Sequence, residues 1–321
     1  MRGIGFDEVV FLGYISSMTN KTNLPSQQKS AVVAILGRPS AGKSTFLNTA
    51  SGEKISIVSP IPQTTRNAIR GIVNTSLGQL VFVDTPGYHE SDKKLNLRLQ
   101  SMASEQLESS DAVLYVIDST RLPGREEQLT SELMAPYSDK IVVAINKIDL
   151  PESNASEVRK FLSTALPKVP AERIFDISAE KDTGIDDVLR SLYSISPEGE
   201  AYYPEEFYTD QEVDFRIAEI IREQAINRLY DEIPHAIFVD ISDMEWRQDG
   251  RSLWVRAFLC VERESQKGMV IGKGASMIKT IRLESIKQLK EIFPYRIELD
   301  LQVKVSKNWR QKDPILNKLL K

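Results

Sequence analysis

Residues 37–44 read GRPSAGKS: Gly37, Arg38, Pro39, Ser40, Ala41, Gly42, Lys43 and Ser44. This fits the phosphate-loop spacing G-x-x-x-x-G-K-[ST]. The context also fits, because an apolar run at 31–36 precedes the loop and a helical pattern follows it. Glycines let backbone N–H groups close on phosphate oxygens, and the following helix aims its positive end at the anion. Lys43 is placed to reach β- and γ-phosphates. Ser44 is placed to offer a hydroxyl to Mg²⁺, with Thr45 next to it in the same cradle.

Further apolar runs lie at 80–83, 112–117 and 141–145. Continuous β-branched runs mark strands buried on both faces of a parallel sheet, and helical patterns such as 95–108 and 154–165 lie between some of them. The expectation is a doubly wound α/β domain over about residues 31–195. Short polar motifs follow several of these strands. Asp84, Thr85, Pro86 and Gly87 read DTPG. A carboxylate there can hold Mg²⁺, usually through water, and the Gly87 N–H can touch a γ-phosphate. Asn146, Lys147 and Asp149 belong to NKID. Asp149 can accept from guanine N1–H and N2–H₂ together, a pair that adenine does not present. Lys147 can lie along the base, and Asn146 can brace the loops. Ser178 and Ala179 close the run ISA at 177–179, where the Ala179 N–H can donate to guanine O6. Between the phosphate loop and DTPG lies QTTRN, 63–67, with Thr65 as the second hydroxyl for Mg²⁺ and Thr64 as the alternative. In this order, at strand ends, the motifs define a guanine-nucleotide site with GTP/GDP and Mg²⁺ as cofactors.

The catalytic set read from the sequence is Lys43, Thr65 and Gly87. The position after Gly87 is Tyr88, not a water-orienting glutamine, so no general base is assigned and slow intrinsic turnover is expected. His89 is the weaker candidate for a base.

The chain has 321 residues, enough for two domains. Residues 1–30 show no hydrophobic period and are expected to be a disordered extension. A Pro/Gly/Ser-containing stretch, 196–210, reads as a linker. Beyond it the order changes to a helix (211–230), strands (235–242 and 253–262), a short helix near 266–270, a helix (276–293) and a strand (296–305). This α+β unit is assigned to 211–310, with a tail at 311–321. Charge is uneven. Residues 200–250 hold 4 Lys/Arg against 14 Asp/Glu, whereas 251–321 hold 16 against 7. A basic end of this kind suits nucleic acid or anionic lipid.

The chemistry-bearing motifs resemble those of the TrmE/Era branch of the translation-factor-related GTPases. The second half resembles the Era family in particular: YPEEFYTD at 203–210, IAEIIREQAINRLYDEIPHA at 217–236, VIGKGASMIKTI at 270–281 and VKVSKNW at 303–309. The resemblance implies a P-loop GTPase domain followed by a type II KH domain. It implies a GTP-dependent factor that binds the 3′ end of 16S rRNA in 30S subunit assembly. Such a factor is cytoplasmic, with peripheral inner-membrane association, and monomeric. RNA would be held by Lys267, Val270, Ile271, Gly272, Lys273, Gly274, Ala275 and Lys279. Two positions depart from the family. Ser40-Ala41 stand where Asn-Val is usual, and Gly272-Lys273-Gly274-Ala275 ends in alanine where the KH loop reads G-x-x-G. Ala275 crowds the RNA backbone, or strains the loop if φ is positive there, or else starts a helix, where alanine is favourable. Competing readings are a tRNA-modifying GTPase of the TrmE type and a GTP-sensing RNA scaffold with incidental hydrolysis.

Composition excludes several classes. A single cysteine, Cys260, rules out a disulfide framework and points to a reducing compartment. With two histidines, it cannot form a His/Cys metal cluster. No apolar run approaches the ~20 residues needed to span a bilayer.

Overall fold

The computed structural model describes residues 28–59, 69–84, 104–312 and 315. The expectations for 1–27, 63–67, 85–103 and the last residues lie outside these, including Thr64, Thr65, Thr85, Pro86, Gly87, Tyr88 and His89.

The apolar runs form the expected sheet. The first domain holds β1 (Lys29–Leu36), α1 (Lys43–Ser51), β2 (Ile69–Thr75), β3 (Gly78–Asp84), β4 (Ala112–Asp118) and α2 (Arg125–Met134). β5 (Ile141–Asn146), α3 (Ala155–Ala165), β6 (Ile174–Asp176) and α4 (Ile185–Ile195) complete it. The strand order is β2-β3-β1-β4-β5-β6. Every position of β3, β4 and β5 is buried. Alternate side chains feed two cores, as a period of two requires. Val33, Ile35 and Phe46 lie in one core, and Ala34, Leu36 and Leu162 in the other. The sheet is not purely parallel, because β2 runs antiparallel to β3 at one edge.

The second domain holds α5 (Val213–Ile226), α6 (Ile233–Ala236), β7 (Phe238–Trp246), β8 (Ser252–Val261), α7 (Glu264–Ile271), α8 (Ser276–Ile292) and β9 (Arg296–Val305). β7 and β8 are antiparallel, while β8 and β9 are parallel and joined through the two helices. Ile217 and Ile221 of α5, Val255 and Ala257 of β8, and Ile281 and Leu289 of α8 share its core. The order expected from the sequence holds, with two corrections. His235 and Ala236 lie in α6 rather than in a strand, since Pro234 sits in a helix first turn, where its missing N–H costs nothing. The first helix of the unit is shorter than 211–230 and ends at Ile226.

The stretch read as a linker is fastened along the free edge of β2. Ile72 N–H donates to the Tyr208 carbonyl at 2.9 Å, Thr209 Oγ1 to the Arg70 carbonyl at 2.8 Å, and Gln79 exchanges hydrogen bonds with Tyr203 at 2.9 Å each. An unpaired edge strand invites wrong partners, and this segment covers it.

Candidate nucleotide site and nucleic-acid loop

The loop after β1 is enclosed. Gly37 and Gly42 have φ of 148° and 99°, and a Cβ at either would lie 2.2 Å from the Val116 carbonyl oxygen or 2.1 Å from Asn146 Nδ2. Glycine is therefore required at both ends. Ser40 adopts a left-handed φ of 61° without being glycine, and its hydroxyl is buried with no hydrogen-bond partner among the described residues. Lys43 Nζ folds back onto the carbonyls of Gly37 and Arg38 at 2.9 and 3.0 Å. Burial pulls its ammonium down to about 8, against the opposing charge of Asp84. Arg38 is directed at α2 and β4, pairing with Glu127 at 2.9 Å and Asp118 at 3.4 Å.

Asp84 closes β3 and is fully buried. Its Oδ2 accepts from Ser44 Oγ at 2.7 Å and Ser56 Oγ at 2.9 Å. Its Oδ1 is buried with no partner among the described residues. Burial pushes this carboxyl up from its usual range, and Lys43, Ser44 and Ser56 pull it back. One carboxylate with a spare oxygen beside a serine hydroxyl fits Mg²⁺, which takes few protein ligands and completes its octahedron with water and phosphate oxygens. No cluster of three His, Cys, Asp or Glu able to hold a metal exists among the described residues.

The motifs expected to read the base meet the phosphate loop at the carboxyl ends of β1, β5 and β6. Asn146 Nδ2 donates to the Ala41 carbonyl at 2.9 Å, and its Oδ1 accepts the Ala179 N–H at 2.9 Å. Asn146 thus braces the phosphate loop against residues 177–179, and the Ala179 N–H is engaged by Asn146. Thr49 of α1 adds a bond to the Ala179 carbonyl at 2.7 Å. Lys147 has φ of 68° and pairs with Asp118 at 2.7 Å. Burial would raise the Asp118 carboxyl, but bonds from Lys147 and Thr120 outweigh it and hold the group below its usual range. Asp149 is exposed at the tip. Asp118, Glu127, Ser56 and Thr49 escaped the sequence reading. Only Asp118 left a signal there, as an acid ending an apolar strand.

The second loop lies between α7 and α8. Gly272, Gly274 and Ala275 all have positive φ, at 74°, 60° and 59°. Ala275 is the N-cap of α8 and not part of the helix, so the strained alternative is realised. Left-handed backbone costs a residue with a Cβ roughly 1–2 kcal/mol. Lys273, Gly274, Ala275 and Lys279 are exposed, and Lys267, Ile271 and Gly272 are half-buried. Val270 is fully buried in the second core, so it supports the loop from beneath and presents nothing to a ligand.

A family model described as a 50S ribosome-binding GTPase matches residues 32–147, and a KH-domain model matches 232–310. The GTPase Era of Treponema denticola is 61% identical over 290 residues, covering 90% of this chain and 99% of the relative. The chain belongs to the GTPase Era family. It is a GTP hydrolase with a C-terminal KH domain. The Era of Borreliella burgdorferi is 43% identical, covering 91% of this chain and 99% of the relative. A tyrosine-to-alanine variant of Aquifex aeolicus Era, solved with GDP.AlF4-, superposes with a TM-score of 0.85 at 32% identity over 91% of this chain and 99% of that one. Era in complex with MgGDPNP and nucleotides 1506-1542 of 16S ribosomal RNA gives the same TM-score and identity, over 91% and 98%. Among the described residues no helix is long and apolar enough to cross a membrane.

Proposed function

We propose that this chain binds Mg²⁺ with GTP or GDP in the first domain and the 3′ end of 16S rRNA in the second, and acts in assembly of the 30S subunit in the cytoplasm. Peripheral inner-membrane contact belongs to the same family reading. One observation carries it. A buried phosphate loop with an Asp84 oxygen left over sits in one chain with an exposed, lysine-bearing KH loop. An Era of the same architecture was solved with MgGDPNP and that RNA segment on it.

The roles in this proposal are as follows. Lys43 would swing from two backbone carbonyls to the β- and γ-phosphates, regaining in phosphate what it gives up in the loop. Gly37, Arg38, Pro39, Ser40, Ala41 and Gly42 would supply backbone N–H groups, with Ser44 and Thr45 at the helix N-terminus. Asp84, Ser44 and Thr65 would hold Mg²⁺, with Thr85, Pro86 and Gly87 facing the γ-phosphate. Bound Mg²⁺ neutralises charge on the transferring phosphoryl group. Asn146, Lys147, Asp149, Ser178 and Ala179 would frame the guanine. With Tyr88 after Gly87, water is left without a positioned amide, and turnover rests on charge stabilisation.

The experiment is RNA affinity at stated salt, using an oligonucleotide matching the 16S 3′ end, with a GTP analogue and with GDP. Tighter binding in the GTP-analogue state supports a switch. Equal binding in both states favours a scaffold with incidental hydrolysis.

A further inference from the structure

Glu223 belongs to α5 of the second domain, yet its carboxylate faces the first. It is only 3% exposed. Oε1 accepts the Val58 N–H at 2.7 Å and the Lys54 ammonium at 2.6 Å, both from the segment after α1. Oε2 accepts from Gln288 Nε2 of α8 at 3.0 Å. Gln288 in turn accepts from Gln224 at 2.6 Å. A buried carboxylate is costly unless its charge and lone pairs are matched. Here the matching donors come from both domains, so the group is satisfied only while the domains are in contact.

The tethered segment has a task at the nucleotide site. It carries Ser56, 1% exposed, whose hydroxyl donates to Asp84 Oδ2 at 2.9 Å. The backbone of Ile55 and Ser56 is held on one side by Asn48 of α1, whose Oδ1 accepts both N–H groups at 2.9 and 2.8 Å. Glu223 holds the other side two residues on. Ser56 therefore bonds Asp84 from a strip of backbone clamped by Asn48 and Glu223. That bond is one of two that turn the spare Oδ1 to its buried position.

We propose that Glu223 is a positioning residue of the GTPase centre. Through Val58 and Lys54 it fixes the segment that sets Ser56 on Asp84, which makes the second domain part of the support of the metal site. The inference rests on the reading of Asp84 as the Mg²⁺ carboxylate. Because Glu223 also binds Gln288 on the helix that begins at the KH loop, a shift in the segment is felt at α8.

The test is a Mg²⁺ titration of GTP hydrolysis by the full chain, alongside GDP affinity in EDTA. Glu223→Ala should raise the Mg²⁺ concentration for half-maximal turnover by roughly three- to tenfold, a part of what a charge-assisted hydrogen bond can carry. GDP affinity without metal should stay within about twofold, since no phosphate or base contact is touched. Glu223→Gln, isosteric and still able to accept from Val58, should give a smaller shift, and it serves if the alanine variant does not fold. Adding Ser56→Ala to Glu223→Ala should have less than its full separate effect, because both act through one contact. Unchanged Mg²⁺ dependence in both Glu223 variants, with Asp84→Asn shifting it strongly, would overturn the proposal and leave the metal reading standing. If Asp84→Asn itself leaves Mg²⁺ dependence unchanged, the metal reading falls and the proposal falls with it.

Discussion

The phosphate loop and the KH loop are built to one local plan and held in opposite ways. Each leads into a helix, and each places a residue with a Cβ in left-handed backbone, Ser40 at φ 61° and Ala275 at φ 59°. The first is enclosed. Lys43 bonds its carbonyls, Asn146 bonds Ala41, and Arg38 pairs with Glu127 and Asp118. The second is open, and its Ala275 N–H bonds back only within the loop, to the Gly272 carbonyl at 3.1 Å. Strain persists where surroundings over-determine a conformation. A phosphate of fixed shape can be met by such a cage. A polynucleotide strand must be met on an exposed surface, where little offsets the strain.

The largest effect should come from the enclosed loop. Lys43→Ala removes the ammonium that the cage is built around, and GTP affinity should fall on the order of 100-fold or more, since charge-assisted bonds to two phosphates are lost. Equilibrium binding of a fluorescent GTP analogue checks this, and nanomolar affinity retained would show the loop misread. The same lysine makes affinity depend on pH. Its proton in the free protein is lost as pH rises through about 8, and bound phosphate requires that proton. GTP affinity should thus be flat below that value and decline above it, approaching about tenfold per pH unit. The KH loop should show nothing comparable over that window, so RNA affinity measured in parallel separates the two.

Smaller changes sharpen the contrast between caged and open strain. Ala275→Gly should stabilise the second domain by about 1 kcal/mol, because nothing offsets the left-handed alanine. Denaturant unfolding checks it, and RNA affinity should rise alongside. Ser40→Asn should add only a few tenths of a kcal/mol, since asparagine tolerates left-handed backbone but the cage already fixes it. A Ser40 effect larger than the Ala275 effect would invert the comparison.

The sequence exposed the cage more fully than its supports. Strands β3, β4 and β5 were legible because burial on both faces leaves no polar alternation, and DTPG and NKID follow β3 and β5 directly. β2 was not, since Gly71 and Asn74 interrupt IRGIVNT and half of an edge strand meets polar groups. The 196–210 stretch has the composition of a linker, but its backbone partners lie on that unread edge. Ser56 and Glu223 carried no local mark. Glu223 and Val58 are 165 residues apart, and only the domain contact brings them together. The KH order was legible from periodicity. The backbone angle of Ala275 was not, because a helix interior and a helix cap read alike at one residue.

The central claim is that the cage and the open loop serve one cycle. It is tested most directly by GTP turnover of the full chain as an oligonucleotide matching the 16S 3′ end is titrated in. The expected result is saturable stimulation on the order of tenfold or more, about 1.4 kcal/mol of barrier, and its loss in a Lys273→Ala, Lys279→Ala double variant that still binds GTP. Turnover unchanged at RNA concentrations that saturate binding would contradict it, and would separate the two loops into independent functions.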